Sequence, residues 1–318
     1  MATINTALRY VGGQTGEPVN LTDLTVDFLH GDNAAFLARV AKDLKALGRK
    51  AGPAGTRFAA DGVGAIGLIG EYGLIGYGIR RGQEILRVDH TPSNWSHAFL
   101  FSSPLSAEPK VNRSPKSAPW LWESTLEPAT IFNRFTDRNG VGPRRFADYS
   151  RASFDLFAPH SVPNIAVIAL ALTDDERGRI MDRADDPDVD QLHYDIPGLL
   201  GVWYSFLTDQ ASHPNPLAEG RAVFCSAYVQ LAYDAAGIDL SPGAHQRNTA
   251  PEHLWQAIKY LQKAFRVSDK EGRLVQRPMA GWFCIRDAAC VIAPVPTPGE
   301  KAPRRPRTLR EVQDASGG

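Results

Sequence analysis

The pattern of apolar and polar residues divides the chain into helical and extended stretches. Apolar residues recur at helical spacing at Phe36, Val40 and Leu44, which predicts a helix in DNAAFLARVAKDLKALGRKAG. After residue 80 the pattern changes to short apolar runs rich in aromatic and branched residues, which are typical of strands. The predicted strands are GQEILRVDH, WSHAFLFS, PWLWEST, NIAVIALAL, AGWFCIR and ACVIAPV.

Further helices are predicted in the second half of the chain. TDDE at residues 173–176 is a capping box that begins one helix, and YDIPGLLGVWYSFL has the pattern of another. A third runs from Cys225 towards Gly237, and a second capping box, Thr249-Ala250-Pro251-Glu252, begins a fourth. Strands and helices together predict the α+β class.

Residues 62–78 repeat glycine at nearly every third position and include Gly62-x-Gly64-x-x-Gly67. A dinucleotide-binding site would need a strand before these glycines and a sound helix after them. TRFAAD is a poor strand, and each later glycine weakens a helix by about 1 kcal/mol. The segment is therefore predicted to be a tightly packed glycine face or a mobile stretch beside a site.

The composition is that of an ordinary globular protein, with 43% hydrophobic and 22% charged residues over 318 positions. Basic and acidic residues balance at 35 each, so no net field favours nucleic acid or an anionic membrane as a partner. The N-terminus has no basic start and no apolar run, which predicts a cytoplasmic protein or one exported without a cleavable signal peptide. The three cysteines lack C-x-x-C spacing, which argues against a disulfide framework and against a zinc site built from thiolates. No cofactor is predicted.

Cys225 stands at the start of its predicted helix, and this position favours chemistry. A thiol is a useful nucleophile only as thiolate, and a helix N-terminus together with a nearby histidine favours the negative charge. The alternative is a core position, because free cysteine is among the most buried residue types. Cys284 and Cys290 lie inside apolar runs and are both predicted to be core residues.

A nucleophilic cysteine also needs a base and a third group that orients this base. Among eight histidines, His97 stands at the entry to a predicted strand, where a rigid scaffold presents catalytic groups. Only His245 and His253 follow the cysteine, and neither begins a predicted strand. Glu123 is a lone carboxylate in the aromatic run WLWEST, which is a costly place without a partner. An exposed edge position is the alternative interpretation of Glu123.

Five segments in this order resemble the circularly permuted branch of the NlpC-type papain-like superfamily, especially its YiiX-like proteins, and more distantly lecithin retinol acyltransferase. They are EILRV, WSHAFLF, WLWEST, FCSAYVQLAYDAAGIDLSP and NTAPEHL, and they span about residues 80–260. The resemblance implies a permuted papain-like fold in which a central antiparallel sheet packs against helices. It also implies that His97 is the base, Glu123 the third polar residue and Cys225 the nucleophile.

The resemblance is incomplete at two places. Gly82-Gln83 stands where the family usually has Gly-Asp, and the opening 80 residues have no counterpart. Tyr194-Asp195, by contrast, resembles another recurrent element of the group. The chain is therefore predicted to contain a helical and glycine-rich N-terminal extension (1–79), a catalytic domain (80–295) and a disordered basic tail (296–318).

The resemblance implies acyl transfer through a thioacyl-enzyme. The expected function is a cysteine hydrolase that cleaves an amide bond in a peptide or a cell-wall-type peptide, so the expected partner is a peptide-like or acylated small substrate. One alternative is a lipid acyltransferase or esterase that uses residues 64–78 as a lid or membrane contact. The other is a catalytically inactive binding module on the same fold.

Overall fold

The computed structural model describes residues 33–71, 74–87, 89–105, 119–125, 140–146, 162–186, 223–264 and 266–285, with short pieces at 201–202, 208, 212–214, 287–288 and 290. Over these residues the chain forms five helices and a six-stranded antiparallel sheet, which confirms the predicted α+β class. None of the described helices is long and apolar enough to cross a membrane.

Eight strands lie in the described part of the chain. They are β1 (Ile66–Gly70), β2 (His97–Phe101), β3 (Trp120–Thr125), β4 (Gly140–Arg145), β5 (Asn164–Leu170), β6 (Arg266–Ser268), β7 (Leu274–Gln276) and β8 (Met279–Ile285). The large sheet has the order β4-β3-β2-β1-β5-β8, and all neighbours are antiparallel. β6 and β7 pair with each other in a separate small sheet.

The helices cover parts of this sheet. They are α1 (Asn33–Leu47), α2 (Leu74–Gly82), α3 (Asp174–Ala184), α4 (Cys225–Asp234) and α5 (Pro251–Ala264). α4 packs against β2 and β3, and α3 packs against α4. The capping box at Thr173 and Glu176 is confirmed, because each side chain accepts the backbone N–H of the other residue. The predicted helix YDIPGLLGVWYSFL lies almost wholly outside the described residues.

Most of the predicted strands are confirmed: WSHAFLFS, PWLWEST, NIAVIALAL and AGWFCIR correspond to β2, β3, β5 and β8. The strand predicted in EILRV is wrong, since Glu84–Leu86 forms a single 3-10 turn. The amide of Gln83 donates to the carbonyls of Ile79 and Trp95, which folds this segment back on the end of α2. ACVIAPV lies mostly outside the described residues.

The glycine-rich segment contributes β1, a strand that was not predicted from the sequence. β1 lies between β2 and β5, and all five of its residues are buried. A Cβ atom on Gly67 would overlap the ring of Phe99, and one on Gly70 would overlap the carbonyl of Asn94. The packed glycine face is therefore confirmed, whereas a mobile stretch or lid is incompatible with the place of residues 66–70 in the sheet.

The predicted boundary between residues 79 and 80 falls inside α2. The apolar residues of α1 and of β1, which precede that boundary, belong to the same buried core as the strands that follow it. Within the described part of the chain, the residues before 80 are therefore an integral part of the sheet's core. The predicted tail at 296–318 lies outside the described residues.

Candidate active site

His97 is the first residue of β2, where the preceding loop enters the sheet. Three buried side chains hold the backbone carbonyls of that loop. The contacts are Arg80 Nε to Ser93 O at 2.8 Å, Gln83 Nε2 to Trp95 O at 2.8 Å and Asn164 Nδ2 to Asn94 O at 3.0 Å. The imidazole is therefore presented by a segment whose backbone is fixed by hydrogen bonds.

Glu123 lies on the neighbouring strand β3, and its carboxylate contacts the imidazole. Glu123 Oε2 is 2.9 Å from His97 Nε2, and the Glu123 side chain is completely buried. An ionised carboxylate can only accept a hydrogen bond, so His97 Nε2 carries the proton and donates it. The exposed-edge interpretation of Glu123 is excluded by this burial and this contact.

Cys225 is the first residue of α4, the helix that packs against β2 and β3. The thiol lies close enough to the imidazole of His97 for a side-chain hydrogen bond, which raises the pKa of that ring. Since Nε2 of the ring faces Glu123, Nδ1 is the nitrogen that remains for a hydrogen bond with the sulfur. Cys225 is only 3% exposed, so it is as buried as a core residue. A purely structural role accounts for this burial but not for the contact with a histidine.

Two buried hydroxyl groups fix the start of α4. Ser124 follows Glu123 on β3, and its Oγ donates to the carbonyl of Val223 at 2.6 Å. Ser226 Oγ donates to the carbonyl of Thr249, just before α5. The first bond joins β3, which carries Glu123, to the start of α4, which carries Cys225. The distance between Glu123 and Cys225 is therefore set by a hydrogen bond as well as by packing.

The pKa of His97 results from opposing effects. Burial is the largest single effect and would lower the pKa, because the charged ring loses its hydration. The charges of Cys225 and Glu123, and the hydrogen bonds that both make with the ring, act in the other direction. Together they prevail and raise the pKa of His97 well above its ordinary value of 6.5. The site therefore favours the protonated form of His97.

Arg144 on β4 also contacts Glu123, and it was not predicted from the sequence. Its Nε lies 3.0 Å from Oε1 of Glu123, the oxygen that does not face His97. The strand register pairs Arg144 with Leu121, which places its side chain on the same face of the sheet as Glu123. The stretch VGPRRF has no alternation that distinguishes Arg144 from Arg145, so only the pairing of β3 with β4 identifies it.

His245 and His253, the alternative bases, make hydrogen bonds with the backbone near them. Nδ1 of His245 accepts the backbone N–H of Arg247. Nδ1 of His253 accepts the backbone N–H of Ala250 at the start of α5. Burial lowers the pKa of His253 to about 4, so this ring is neutral at neutral pH. The histidine that contacts the sulfur is therefore the one that precedes it in the chain.

The remaining predicted features are placed as follows. Cys284 is completely buried in β8, and Cys290 is buried too, with a pKa that burial raises. Both core predictions are confirmed. Tyr194-Asp195 lies outside the described residues. Among the residues that the structure describes, no cluster of histidine, cysteine and carboxylate side chains could hold a metal ion.

The arrangement has the parts that nucleophilic substitution at a carbonyl carbon requires. It combines a sulfur, a histidine that can carry a proton and a carboxylate that orients the ring. The first N–H groups of a helix have no partner within the helix, and the helix dipole favours negative charge there. Because Cys225 begins α4, these N–H groups lie next to the sulfur and can stabilise a developing oxyanion.

Comparison with known proteins places the chain in no family. No family model matches the sequence, and no curated protein matches it significantly. The function must therefore be argued from the site itself.

Proposed function

We propose that this protein is a cysteine hydrolase that cleaves an amide bond through a thioacyl-enzyme intermediate. The observation that carries the proposal is the buried chain of contacts from Cys225 to His97 to Glu123. In this proposal Cys225 is the nucleophile, His97 is the general base and acid, and Glu123 orients the imidazole.

In the acylation step, the thiolate of Cys225 attacks the carbonyl carbon of the substrate and a C–S bond forms. The electron pair of the C=O π bond moves to oxygen, where the N–H groups at the start of α4 stabilise the charge. When the intermediate collapses, the C–N bond breaks and His97 transfers its proton to the leaving amine. The products are a free amine and a thioester on Cys225.

In the deacylation step, water takes the place of the amine. Neutral His97 removes a proton from the water while the oxygen of that water attacks the thioester carbon. The C–S bond then breaks, and the sulfur leaves as thiolate beside the imidazolium, so the resting charge state returns. Glu123 keeps the ring in place and stabilises its charged form during both steps.

We also propose that the fold is a circularly permuted papain-like fold of the NlpC type. The order of the elements supports this: the histidine strand β2, the glutamate strand β3 and then the cysteine helix α4 follow one another along the chain. The resemblance described from the sequence has the same order. The packing of α4 on both strands brings the three side chains to one place.

A lipid acyltransferase or esterase would use the same three residues, so only other features distinguish its substrate from a peptide. The lipid alternative assigned residues 64–78 to a lid or membrane contact. Residues 66–70 are instead buried at the centre of the sheet. Because β1 takes residues 66–70 out of any lid or membrane contact, we propose an amide bond in a peptide-like substrate.

Trapping the acyl-enzyme tests this function. The protein is incubated with a mixed pool of peptides and acylated lipids, quenched in acid and examined by intact mass measurement. We expect a peptide-derived acyl adduct on the wild type and on Cys284→Ala, and no adduct on Cys225→Ala. A fatty-acyl adduct would establish the lipid alternative. No adduct on any variant would favour a binding module.

A further inference from the structure

We infer that Arg144 is a fourth member of this site, a positioning residue that acts on His97 through Glu123. The inference rests on the proposed cysteine chemistry and deepens it. Its basis is that the two oxygens of the Glu123 carboxylate contact two different cationic side chains. Oε2 of Glu123 is 2.9 Å from His97 Nε2, and Oε1 is 3.0 Å from Arg144 Nε.

Contacts on both oxygens fix the plane of the carboxylate. The terminal torsion of a glutamate is broad, so a carboxylate that is held at one oxygen can turn away from its partner. Arg144 opposes this rotation because turning would break its own ion pair with Oε1. The arginine is itself held on a strand, since β4 pairs with β3 along the full length of both strands.

Arg144 also balances the charge of the site. In the proposed chemistry, a thiolate at Cys225 and a carboxylate at Glu123 carry two negative charges, and the imidazolium of His97 carries one positive charge. Glu123 is completely buried and the Arg144 side chain is 12% exposed, so an unbalanced charge would be costly here. The guanidinium makes the four groups neutral overall.

Arg145 provides a matched control for Arg144. It is the next residue of β4, so its side chain points to the other face of the sheet. Its guanidinium lies 4.6 Å from the centre of the Trp120 ring. Removing either guanidinium takes the same charge from the same strand, but only Arg144 contacts Glu123 in the ion pair described above.

The experiment measures the second-order rate constant for alkylation of Cys225 by iodoacetamide at pH 7, followed by mass spectrometry of the Cys225 peptide. We expect Arg144→Met to lower it about tenfold or more, since misplacement by about 1 Å can cost up to a hundredfold. Arg145→Met should remain within about twofold of the wild type, because its guanidinium contacts Trp120 on the other face of the sheet. Equal rate constants for the two variants would overturn the inference.

A double-mutant cycle separates positioning through Glu123 from general stabilisation of the sheet. In a Glu123→Gln background, Arg144→Met should have no further effect on the alkylation rate, because the group through which Arg144 acts is gone. Effects that simply add in the double variant would contradict the inference. A purely structural ion pair would lower the melting temperature without producing this coupling.

If Arg144→Met does not fold, Arg144→Lys replaces it. Lysine keeps the charge but lacks the planar guanidinium, so a folded Arg144→Lys protein should alkylate more slowly than the wild type. A folded Arg144→Lys protein with the wild-type rate would overturn the positioning role. Because the readout is thiol reactivity, it is independent of the acyl-enzyme experiment: a missing acyl-enzyme refutes amide hydrolysis, whereas an unchanged alkylation rate refutes only the role of Arg144.

Discussion

His97 holds its proton because Glu123 and Cys225 both act on its ring. Burial alone would favour the neutral ring, but the charges and hydrogen bonds of Cys225 and Glu123 outweigh that effect and raise the pKa of His97. The protonation of one imidazole therefore depends on two named neighbours. Removing either Cys225 or Glu123 should therefore lower the pKa of His97.

Glu123→Gln should lower the pKa of His97, because one of the charges that raise it is lost. The wild-type ring is expected to titrate above 6.5, and the variant ring at a lower pH than the wild type. NMR titration of the protein with labelled histidine measures both midpoints. Once a substrate is found, the alkaline limb of its pH–rate profile should shift to lower pH in the same variant.

Glu271→Gln is the control for this titration. Glu271 is an exposed carboxylate paired with Arg273 in the turn that joins β6 and β7. Glu271→Gln removes one negative charge, as Glu123→Gln does, but at a position outside the site where the charge is screened by solvent. The His97 midpoint should therefore be unchanged in this variant. An equal shift in both variants would mean that Glu123 has no specific effect on the ring.

The three candidate residues could be found in the sequence because each one has a local signal. His97 and Glu123 are polar residues in apolar or aromatic runs, and Cys225 begins a helix. Arg144 interrupts nothing, because it stands beside Arg145 in a polar stretch. Its role depends on which strand lies next to β3, and this long-range pairing has no local signal.

Among the elements, β1 shows most clearly why local patterns are insufficient. Glycine is depleted in strands, so a segment with several glycines does not predict one. In the sheet, Gly67 stands directly opposite Phe99, and the absence of a side chain makes room for that ring. The need for a glycine opposite Phe99 comes from the tertiary structure, so residues 62–78 alone do not predict it. EILRV shows the converse, since a short apolar run is compatible with more than one element.

Gly67→Ala should be strongly destabilising. The added methyl group would overlap the Phe99 ring in the centre of the sheet, and overpacking of this kind costs about 1–3 kcal/mol or more. Urea denaturation gives the free energy of unfolding of the variant and the wild type. The same substitution should slow alkylation of Cys225, because Phe99 lies on the strand that carries His97.

Gly78→Ala in α2 is the matched substitution. A Cβ atom at Gly78 meets nothing within 4 Å, so the change adds no clash. Alanine is favoured over glycine inside a helix by about 1 kcal/mol, and the variant should therefore be as stable as the wild type or slightly more stable. If Gly67→Ala were as stable as Gly78→Ala, β1 would not lie against Phe99 as described.

For the whole molecule, the site is assembled from four elements that are distant in the chain: β2, β3, β4 and α4. Buried polar groups join these parts to the rest of the fold. Arg80 pairs with Asp287 at 2.7 Å. Ser93, in the loop that precedes His97, donates a hydrogen bond to Glu252 at the start of α5. Loss of global stability should therefore disturb the site as well.

Stability should fall in mild acid because of His253. Its pKa of about 4 in the folded protein is below the ordinary value of 6.5. Between these two values the unfolded chain binds a proton that the folded protein excludes, so the free energy of unfolding decreases as the pH falls from about 6.5 to about 4. One group contributes a slope of at most about 1.4 kcal/mol per pH unit.

His253→Asn isolates this contribution. Asparagine can still accept the backbone N–H of Ala250, but it does not titrate. Denaturation curves at several pH values should show that the wild type loses more stability than the variant between pH 6.5 and 4. His97 is present in both proteins, so its opposite contribution cancels in the comparison. Parallel curves would show that His253 is not held neutral by the fold.

The proposal that Cys225 is an activated nucleophile is tested most directly by competitive alkylation of the three cysteines at pH 6. Ordinary thiols are protonated and slow at this pH, so a limiting amount of iodoacetamide should label Cys225 at least about tenfold faster than Cys284 or Cys290. His97→Ala should abolish that preference. Labelling of another cysteine first, or a Cys225 rate that is unchanged in His97→Ala, would contradict the proposed chemistry.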